Sequence, residues 1–108
     1  MKLLTKELKE VFAKQGDTSK KDAQDIKVLA KFFNPCGAGT WFAVEYLPDE
    51  MLFFGYANLG DSDCAELGYF SLNELESVKL PFGMGIERDI HWEANTTLQA
   101  VIDCKGEM

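Results

Sequence analysis

The stretch Trp41–Leu59, WFAVEYLPDEMLFFGYANL, decides the fold because it contains two apolar segments on either side of a short polar turn. Aromatic and aliphatic residues dominate both segments, and this composition is typical of β-strands. Pro48, Asp49 and Glu50 lie between the segments, where a proline followed by acidic residues indicates a turn. The pattern therefore predicts two strands, at residues 41–47 and 51–59, that pair as an antiparallel hairpin.

Two further strands are predicted beside this hairpin. Residues 26–33 alternate between apolar and polar side chains, and residues 65–70 follow the polar turn at residues 60–63. Gly55 lies inside the third predicted strand and indicates a bulge or a close approach by another group. Because the turns between the four strands are short, they favour an antiparallel meander.

The first two helices are indicated by residues that commonly begin or end helices. Thr5 is a suitable N-cap for an N-terminal helix, and Gly16 is well placed to end it. Ser71 and Glu74 form a capping-box pattern, which predicts a short second helix directly after the fourth strand.

The remainder of the chain predicts one more strand and one more helix. Residues 86–93 alternate like a half-buried strand, and Thr96 with Gln99 forms a second capping pattern. The predicted fold class is α+β, an antiparallel β-meander of four to five strands with an N-terminal helix, a short helix after strand 4 and a C-terminal helix. With 108 residues, the chain is expected to form a single domain, 1–108.

The predicted strands carry bulky apolar residues at both alternations, as Phe32 and Phe33 illustrate. Neighbouring residues of a strand point to opposite faces of the sheet. The sheet is therefore either covered on both sides or left with an apolar patch that a partner can cover.

Charge is distributed unevenly along the chain. Residues 1–31 hold eight lysines and five carboxylates, whereas residues 32–108 hold three basic residues and thirteen carboxylates. This balance argues against direct nucleic-acid binding, which needs phosphate-neutralising Lys and Arg, and favours a basic partner or simple solubility. The partner-binding candidates are the carboxylates between Lys31 and Lys79, namely Glu45, Asp49, Glu50, Asp61, Asp63, Glu66, Glu74 and Glu76.

The apolar segments are too short for a signal peptide or a membrane span, which predicts a cytoplasmic protein without membrane contact. Cys36, Cys64 and Cys104 are far apart in the sequence, a pattern that predicts reduced thiols. The alternative is a zinc site with His91 as the fourth ligand. Zinc sites usually include a close pair of Cys or His ligands, and this chain has none. We therefore expect neither a metal nor another cofactor.

Residues 86–93 contain the only Arg and the only His of the chain, and they include the catalytic candidates Asp89, His91 and Glu93. On a strand these three side chains share one face. A histidine flanked by carboxylates can act as an acid or a base, and such a face can also hold a divalent cation. The alternative is a solvated polar face with Arg88 paired to a carboxylate. No hydrolase motif occurs elsewhere, so the sequence favours a binding protein over an enzyme.

Six segments along the chain resemble, in order, a bacterial domain-of-unknown-function family. They are LLTKE at 3–7, KFFNP at 31–35, TWFA at 40–43, LFFG at 52–55, ELGYFSL at 66–72 and IERD at 86–89. Members of that family are small proteins often carried on plasmids, conjugative elements and phages. The resemblance therefore implies a mobile-element context in a bacterial cytoplasm, and it brings no assigned catalytic residues.

The leading hypothesis is a small acidic mobile-element protein that binds a basic surface of a host protein. Counter-defence inhibitors of the anti-CRISPR or anti-restriction type act in this way when they mimic nucleic acid. One alternative is a small hydrolytic or metal-assisted enzyme that uses the Asp89, His91 and Glu93 face. Another is a structural or regulatory subunit, including a homodimer formed through an exposed strand edge.

Overall fold

A computed structural model describes residues 2–108, which form one five-stranded sheet with helices on both of its faces. The strands are β1 Ala30–Phe33, β2 Thr40–Leu47, β3 Leu52–Asn58, β4 Glu66–Ser71 and β5 Glu87–Arg88. The helices are α1 Lys6–Gln15, α2 Leu72–Ser77 and α3 Leu98–Asp103. Short 3-10 helices cover Ala23–Asp25, Ser62–Cys64 and Pro81–Gly83.

All neighbouring strands are antiparallel, and their order is β4-β3-β2-β1-β5. The first four strands form the predicted meander, and β5 returns to pair with the free side of β1. The α+β fold class and the order of helices and strands are confirmed.

The helix ends follow the capping residues, with one correction. Thr5 Oγ1 accepts a hydrogen bond from the Leu8 amide (3.1 Å), and Ser71 Oγ accepts one from the Glu74 amide (3.2 Å). The predicted N-cap of α3, Thr96, is wrong, because Thr97 caps this helix by accepting from the Ala100 amide. The Thr96 carbonyl is instead engaged by the Val28 amide at 2.8 Å.

The first strand is shorter than predicted, because its regular part begins at Ala30 rather than at residue 26. Ala30 pairs with Ala43, yet the preceding residue, Leu29, also donates its amide to the Ala43 carbonyl at 2.9 Å. Two residues thus oppose one, which is a β-bulge. The bulge interrupts the alternation, so Val28 and Ala30 belong to hydrophobic clusters on opposite faces of the sheet.

Each face of the sheet has its own hydrophobic core. On the first face, which we call the helix-1 face, α1 and α2 pack over a cluster that contains Phe12, Phe32, Phe53 and Leu75. The second, the helix-3 face, is covered by α3 and the 3-10 helix Ala23–Asp25. The buried residues of that cluster are Ile26, Val28, Phe42, Val44, Tyr56, Leu98 and Val101. Coverage on both sides explains why the strands carry apolar residues at both alternations.

Gly55 lies at a close approach of two strands, as the sequence predicts. A Cβ atom at this position would stand 1.8 Å from the Phe42 carbonyl oxygen of β2. The register between β2 and β3 shifts next to this point, between Ala43 and Glu45. Only glycine therefore lets β2 and β3 pair in this register.

The fifth strand is also shorter than predicted, since it ends at Arg88 instead of continuing to residue 93. The chain turns at Asp89. Its carboxylate accepts a hydrogen bond from the His91 amide (2.9 Å), and its backbone carbonyl accepts one from the Trp92 amide (3.2 Å). The alternation of residues 89–93 therefore does not reflect a strand.

Both ends of the described chain are held near β1 and β5. The Arg88 guanidinium donates to the backbone carbonyls of Lys2 (2.9 Å) and Leu3 (3.1 Å). The Lys31 ammonium, on β1, donates to the Met108 backbone oxygen at 2.6 Å.

Candidate functional site

Strand β4 forms one edge of the sheet, and no other segment of residues 2–108 pairs with its outer side. The Leu72 amide donates to the Met51 carbonyl at 3.1 Å, which marks this position as a hydrogen-bonded pair of the ladder. Hydrogen-bonded and non-hydrogen-bonded pairs alternate along antiparallel strands. It follows that the amides of Leu67, Tyr69 and Ser71 point away from β3, towards solvent.

The side chains of β4 leave apolar surface exposed on the helix-3 face. Tyr69 is 65% exposed and Leu67 is 45% exposed. Tyr69 packs against the half-buried Phe54 of β3, with 5.0 Å between the ring centroids. The cover provided by α3 thus stops short of β4, and this border of the sheet keeps an apolar patch even though both faces are covered.

The helix-1 face of β4 has open space at its centre. A Cβ atom built on Gly68 would meet no atom within 4 Å. Glu66, on the same face, is exposed. A side chain from another molecule would find room above Gly68.

Seven of the eight partner-binding candidates lie in two groups at opposite ends of β3 and β4. The helix-side group consists of Asp49, Glu50, Glu74 and Glu76, which lie in the β2–β3 turn and on α2. The loop-side group consists of Asp61, Asp63 and Glu66, which lie in the β3–β4 connection and at the start of β4. Leu52 to Asn58 spans six residue steps, so the groups are separated by roughly 20 Å of strand.

The carboxylates of both groups are exposed, and ion pairing neutralises few of them. In the described part of the chain, one ion pair reaches these residues, between Lys105 Nζ and Asp63 Oδ1 at 3.6 Å. Both partners are largely exposed, so this pair contributes little to stability. No lysine of residues 2–31 forms an ion pair with any of these carboxylates.

Glu45, the eighth candidate, lies outside both groups. Its carboxylate accepts hydrogen bonds from the amide (2.7 Å) and the hydroxyl of the buried Thr18. This side chain therefore fastens the segment after α1 to β2 and is already engaged within the chain.

The two acidic groups change the ionisation of neighbouring side chains. The Cys64 thiol donates to Asp61 Oδ2 (3.5 Å), and this hydrogen bond raises the pKa of Cys64, helped by the negative charges of Asp61 and Glu66. At the other end, burial raises the pKa of Tyr46, and the charge of Glu76 adds to the effect. The carboxylates thus act on ionisation at both ends of the ladder, as the main cause for Cys64 and as the smaller cause for Tyr46.

Replacing Asp61 by Asn is expected to speed alkylation of Cys64. Because the pKa of Cys64 is raised, the thiol stays protonated at pH values where an ordinary cysteine has begun to ionise. Removing the Asp61 carboxylate lowers this pKa, so more of the reactive thiolate forms at a given pH. Asp61 Oδ1 also accepts a hydrogen bond from the Asp63 amide (3.0 Å), and the side-chain oxygen of an asparagine can still accept this bond. Iodoacetamide labelling followed by mass spectrometry, at several pH values, measures the rate at each cysteine.

In that experiment Cys36 is the internal control, because it is exposed and lies in a different loop. We expect the Cys64 rate to rise several-fold in Asp61→Asn while the Cys36 rate stays constant. An unchanged Cys64 rate would show that Asp61 does not control this thiol.

The three catalytic candidates do not all line the same cleft. Asp89 lines a cleft of about 300 Å³ between α1, β1 and the turn after β5, together with Arg88 and Glu7. Its Oδ2 lies 3.8 Å from Lys31 Nζ, and its Oδ1 is engaged by the His91 amide. His91 and Glu93 are exposed and do not line the cleft. The cleft therefore holds one of the three candidates, and catalysis by these residues stays a prediction.

Two general features of residues 2–108 bear on the other predictions. They contain no group of three or more His, Cys, Asp or Glu side chains placed to hold a metal ion. Within the same residues, no helix has the length and apolar character needed to cross a membrane.

Comparison with known proteins assigns the family but not the activity. A family model described as "Protein of unknown function (DUF2958)" matches residues 3–107. The chain belongs to the DUF2958 family. The match covers nearly all of the sequence, so the whole fold described above is a DUF2958 fold. No curated protein and no solved structure matches the chain.

Sequence reasoning missed the residues of this DUF2958 chain that make β4 accessible, namely Leu67, Gly68 and Tyr69. Leu67 and Tyr69 are bulky apolar residues of a predicted strand, as core residues also are. No local signal identifies β4 as the edge, because the central strands β2 and β3 resemble residues 66–71 in containing no Lys and no Pro. These are the residues that usually protect an edge strand from pairing.

Proposed function

We propose that this protein binds a basic surface of a partner protein through β4 and the acidic groups at its two ends. The proposal rests chiefly on one observation: an unprotected edge strand lies between two groups of exposed carboxylates that the chain's own lysines leave largely unpaired. Carboxylates that are only solubilising need no particular arrangement around a free edge.

The partner class that fits best is a host protein whose basic surface normally holds nucleic acid. Two groups of carboxylates roughly 20 Å apart can occupy positions that phosphates take in a basic groove. Such a protein would act as a counter-defence inhibitor of the anti-CRISPR or anti-restriction type, carried on a mobile element. Negative potential at both groups would also speed the encounter with a basic partner.

Affinity capture with charge-reversal variants tests this proposal. The wild-type chain is used to capture proteins from a bacterial lysate, and bound proteins are quantified by mass spectrometry. The test variant, Glu50→Lys with Glu66→Lys, changes one carboxylate in each acidic group. The matched control, Glu10→Lys with Asp25→Lys, alters two exposed acids away from β4 and changes the net charge by the same amount.

We expect the test variant to lose a basic protein that the wild type and the control variant both retain. With the captured protein purified, the Kd should increase about tenfold or more for the test variant, and binding should weaken as salt rises from about 0.05 to 0.5 M. Equal capture by both variants, or binding that is insensitive to salt, would contradict the proposal.

A further inference from the structure

We infer that the partner binds as an added strand of the sheet, through an extended segment with apolar residues at alternate positions and Lys or Arg at both ends. This inference rests on the proposed function and specifies how the partner is held. The backbone and the side chains of β4 and the carboxylates at its two ends support it.

The backbone of β4 offers a ready pairing surface. The outward amides of Leu67, Tyr69 and Ser71 are separated by two residues each, the spacing at which an added strand hydrogen-bonds. Natural edge strands are commonly blocked by Lys, Pro, a bulge or short length, and β4 has six residues without any of these features. An extended segment from another protein would satisfy these groups by strand addition.

The side chains of β4 determine which residues the added strand needs. On the helix-3 face, exposed Leu67 and Tyr69 would pack against apolar side chains at alternate positions of the incoming segment. On the helix-1 face, the open space at Gly68 admits a side chain from that segment. An added strand therefore extends the cross-strand packing that Phe54 and Tyr69 begin.

Charge decides between a basic segment and a second copy of this chain. Two β4 strands paired antiparallel would place the loop-side group of one copy near the helix-side group of the other, and parallel pairing would bring identical groups together. Both arrangements juxtapose carboxylates, which destabilises the pair. Basic residues at both ends of the incoming segment would instead lie beside both acidic groups.

A synthetic heptapeptide, Lys-Val-Thr-Val-Thr-Val-Lys with blocked ends, is the probe for this inference. Its three valines share one face and match the exposed apolar side chains of β4. Its lysines and threonines share the other face and match the side of β4 that carries Glu66. Titration into the ¹⁵N-labelled protein should shift the amide signals of residues 66–71 first. Replacing both lysines of the peptide by glutamate should weaken binding about tenfold or more.

The decisive variant is Leu67→Pro, compared with Leu67→Ala. Proline removes the outward amide of residue 67, and an edge strand tolerates proline where its amide faces solvent. Alanine shortens the same side chain but keeps the amide. We expect Leu67→Pro to bind the peptide about tenfold more weakly than Leu67→Ala, with the signals of the β1–β3 strands unchanged. A peptide whose valines are N-methylated repeats the test on wild-type protein and should not bind.

Three results would overturn the inference: equal binding by the two Leu67 variants, unimpaired binding of the N-methylated peptide, or shifts that lie away from β4. A wild-type dimer in light scattering that Leu67→Pro converts to monomer would also overturn it, because the occupant is then a second copy. The two proposals can fail separately. Capture that is lost in Glu50→Lys with Glu66→Lys but kept in Leu67→Pro preserves the proposed function and refutes strand addition.

Discussion

Replacing Gly55 by Ala is expected to lower the free energy of unfolding by about 3 kcal/mol or more. The new Cβ would lie 1.8 Å from the Phe42 carbonyl oxygen and 2.8 Å from its carbon, and both are backbone atoms that no change of side-chain rotamer can move. Strands β2 and β3 would have to separate where their register shifts, at the centre of the sheet. Urea unfolding followed by tryptophan fluorescence measures the loss.

Gly68→Ala is the matched control for this variant. Gly68 pairs directly with Gly55 across β3 and β4, yet a Cβ at residue 68 meets no atom within 4 Å. We expect Gly68→Ala to change the free energy of unfolding by no more than about 0.5 kcal/mol. Without a steric clash, replacing a strand glycine by alanine changes only the local freedom of the backbone. Similar losses in the two variants would show that the close approach to Phe42 does not account for Gly55.

Replacing Phe53 by Ala should cost about 3–5 kcal/mol of unfolding free energy. The Phe53 ring is fully buried on the helix-1 face. Its centroid lies 5.1 to 5.7 Å from the ring centroids of four neighbouring aromatic residues. Those neighbours come from α1, β1, β2 and β4 and are Phe12, Phe32, Tyr46 and Phe70. The substitution would leave a cavity that joins four elements of the fold, so it should lower stability throughout the domain.

Phe82→Ala is the corresponding control for Phe53→Ala. Phe82 is 98% exposed in the loop after α2, so the truncation removes no core packing. Its unfolding free energy should remain within about 0.5 kcal/mol of the wild type. Thermal unfolding by circular dichroism provides a second measurement, and a loss below about 1 kcal/mol for Phe53→Ala would contradict its central role in the core.

The elements that sequence reasoning predicted correctly are those set by local signals. The hairpin around Pro48 and the caps at Thr5 and Ser71 each depend on residues within a few positions of one another. Such signals act through turn geometry and amide satisfaction, which a sequence displays directly.

The errors arose where distant contacts decide the outcome. The bulge at Leu29 depends on the Ala43 carbonyl, which lies on another strand. Thr97 caps α3 because Thr96 is held in an extended segment that pairs with residues 27 and 28. The end of β5 depends on how the Asp89 carboxylate satisfies a nearby amide rather than on alternation. Local periodicity contains no information about these partners.

The candidate site was predictable as a set of residues but not as an arrangement. Asp61 and Glu76 are visible in the sequence, whereas their position at opposite ends of one ladder follows from the register of β3 and β4. That β4 is an edge depends on β5 pairing with β1 instead of β4. Strand order of this kind is a property of the whole sheet.

The anchoring of both chain ends beside β1 and β5 has a practical consequence for every assay above. Arg88 on β5 holds the backbone of Lys2 and Leu3, and Lys31 on β1 holds that of Met108. The two anchoring strands are four and three strands from β4, which corresponds to about 19 Å and about 14 Å across the sheet. An affinity tag or a fluorescent fusion can therefore be attached at either end with a short linker and still leave the unprotected edge accessible to a binding partner.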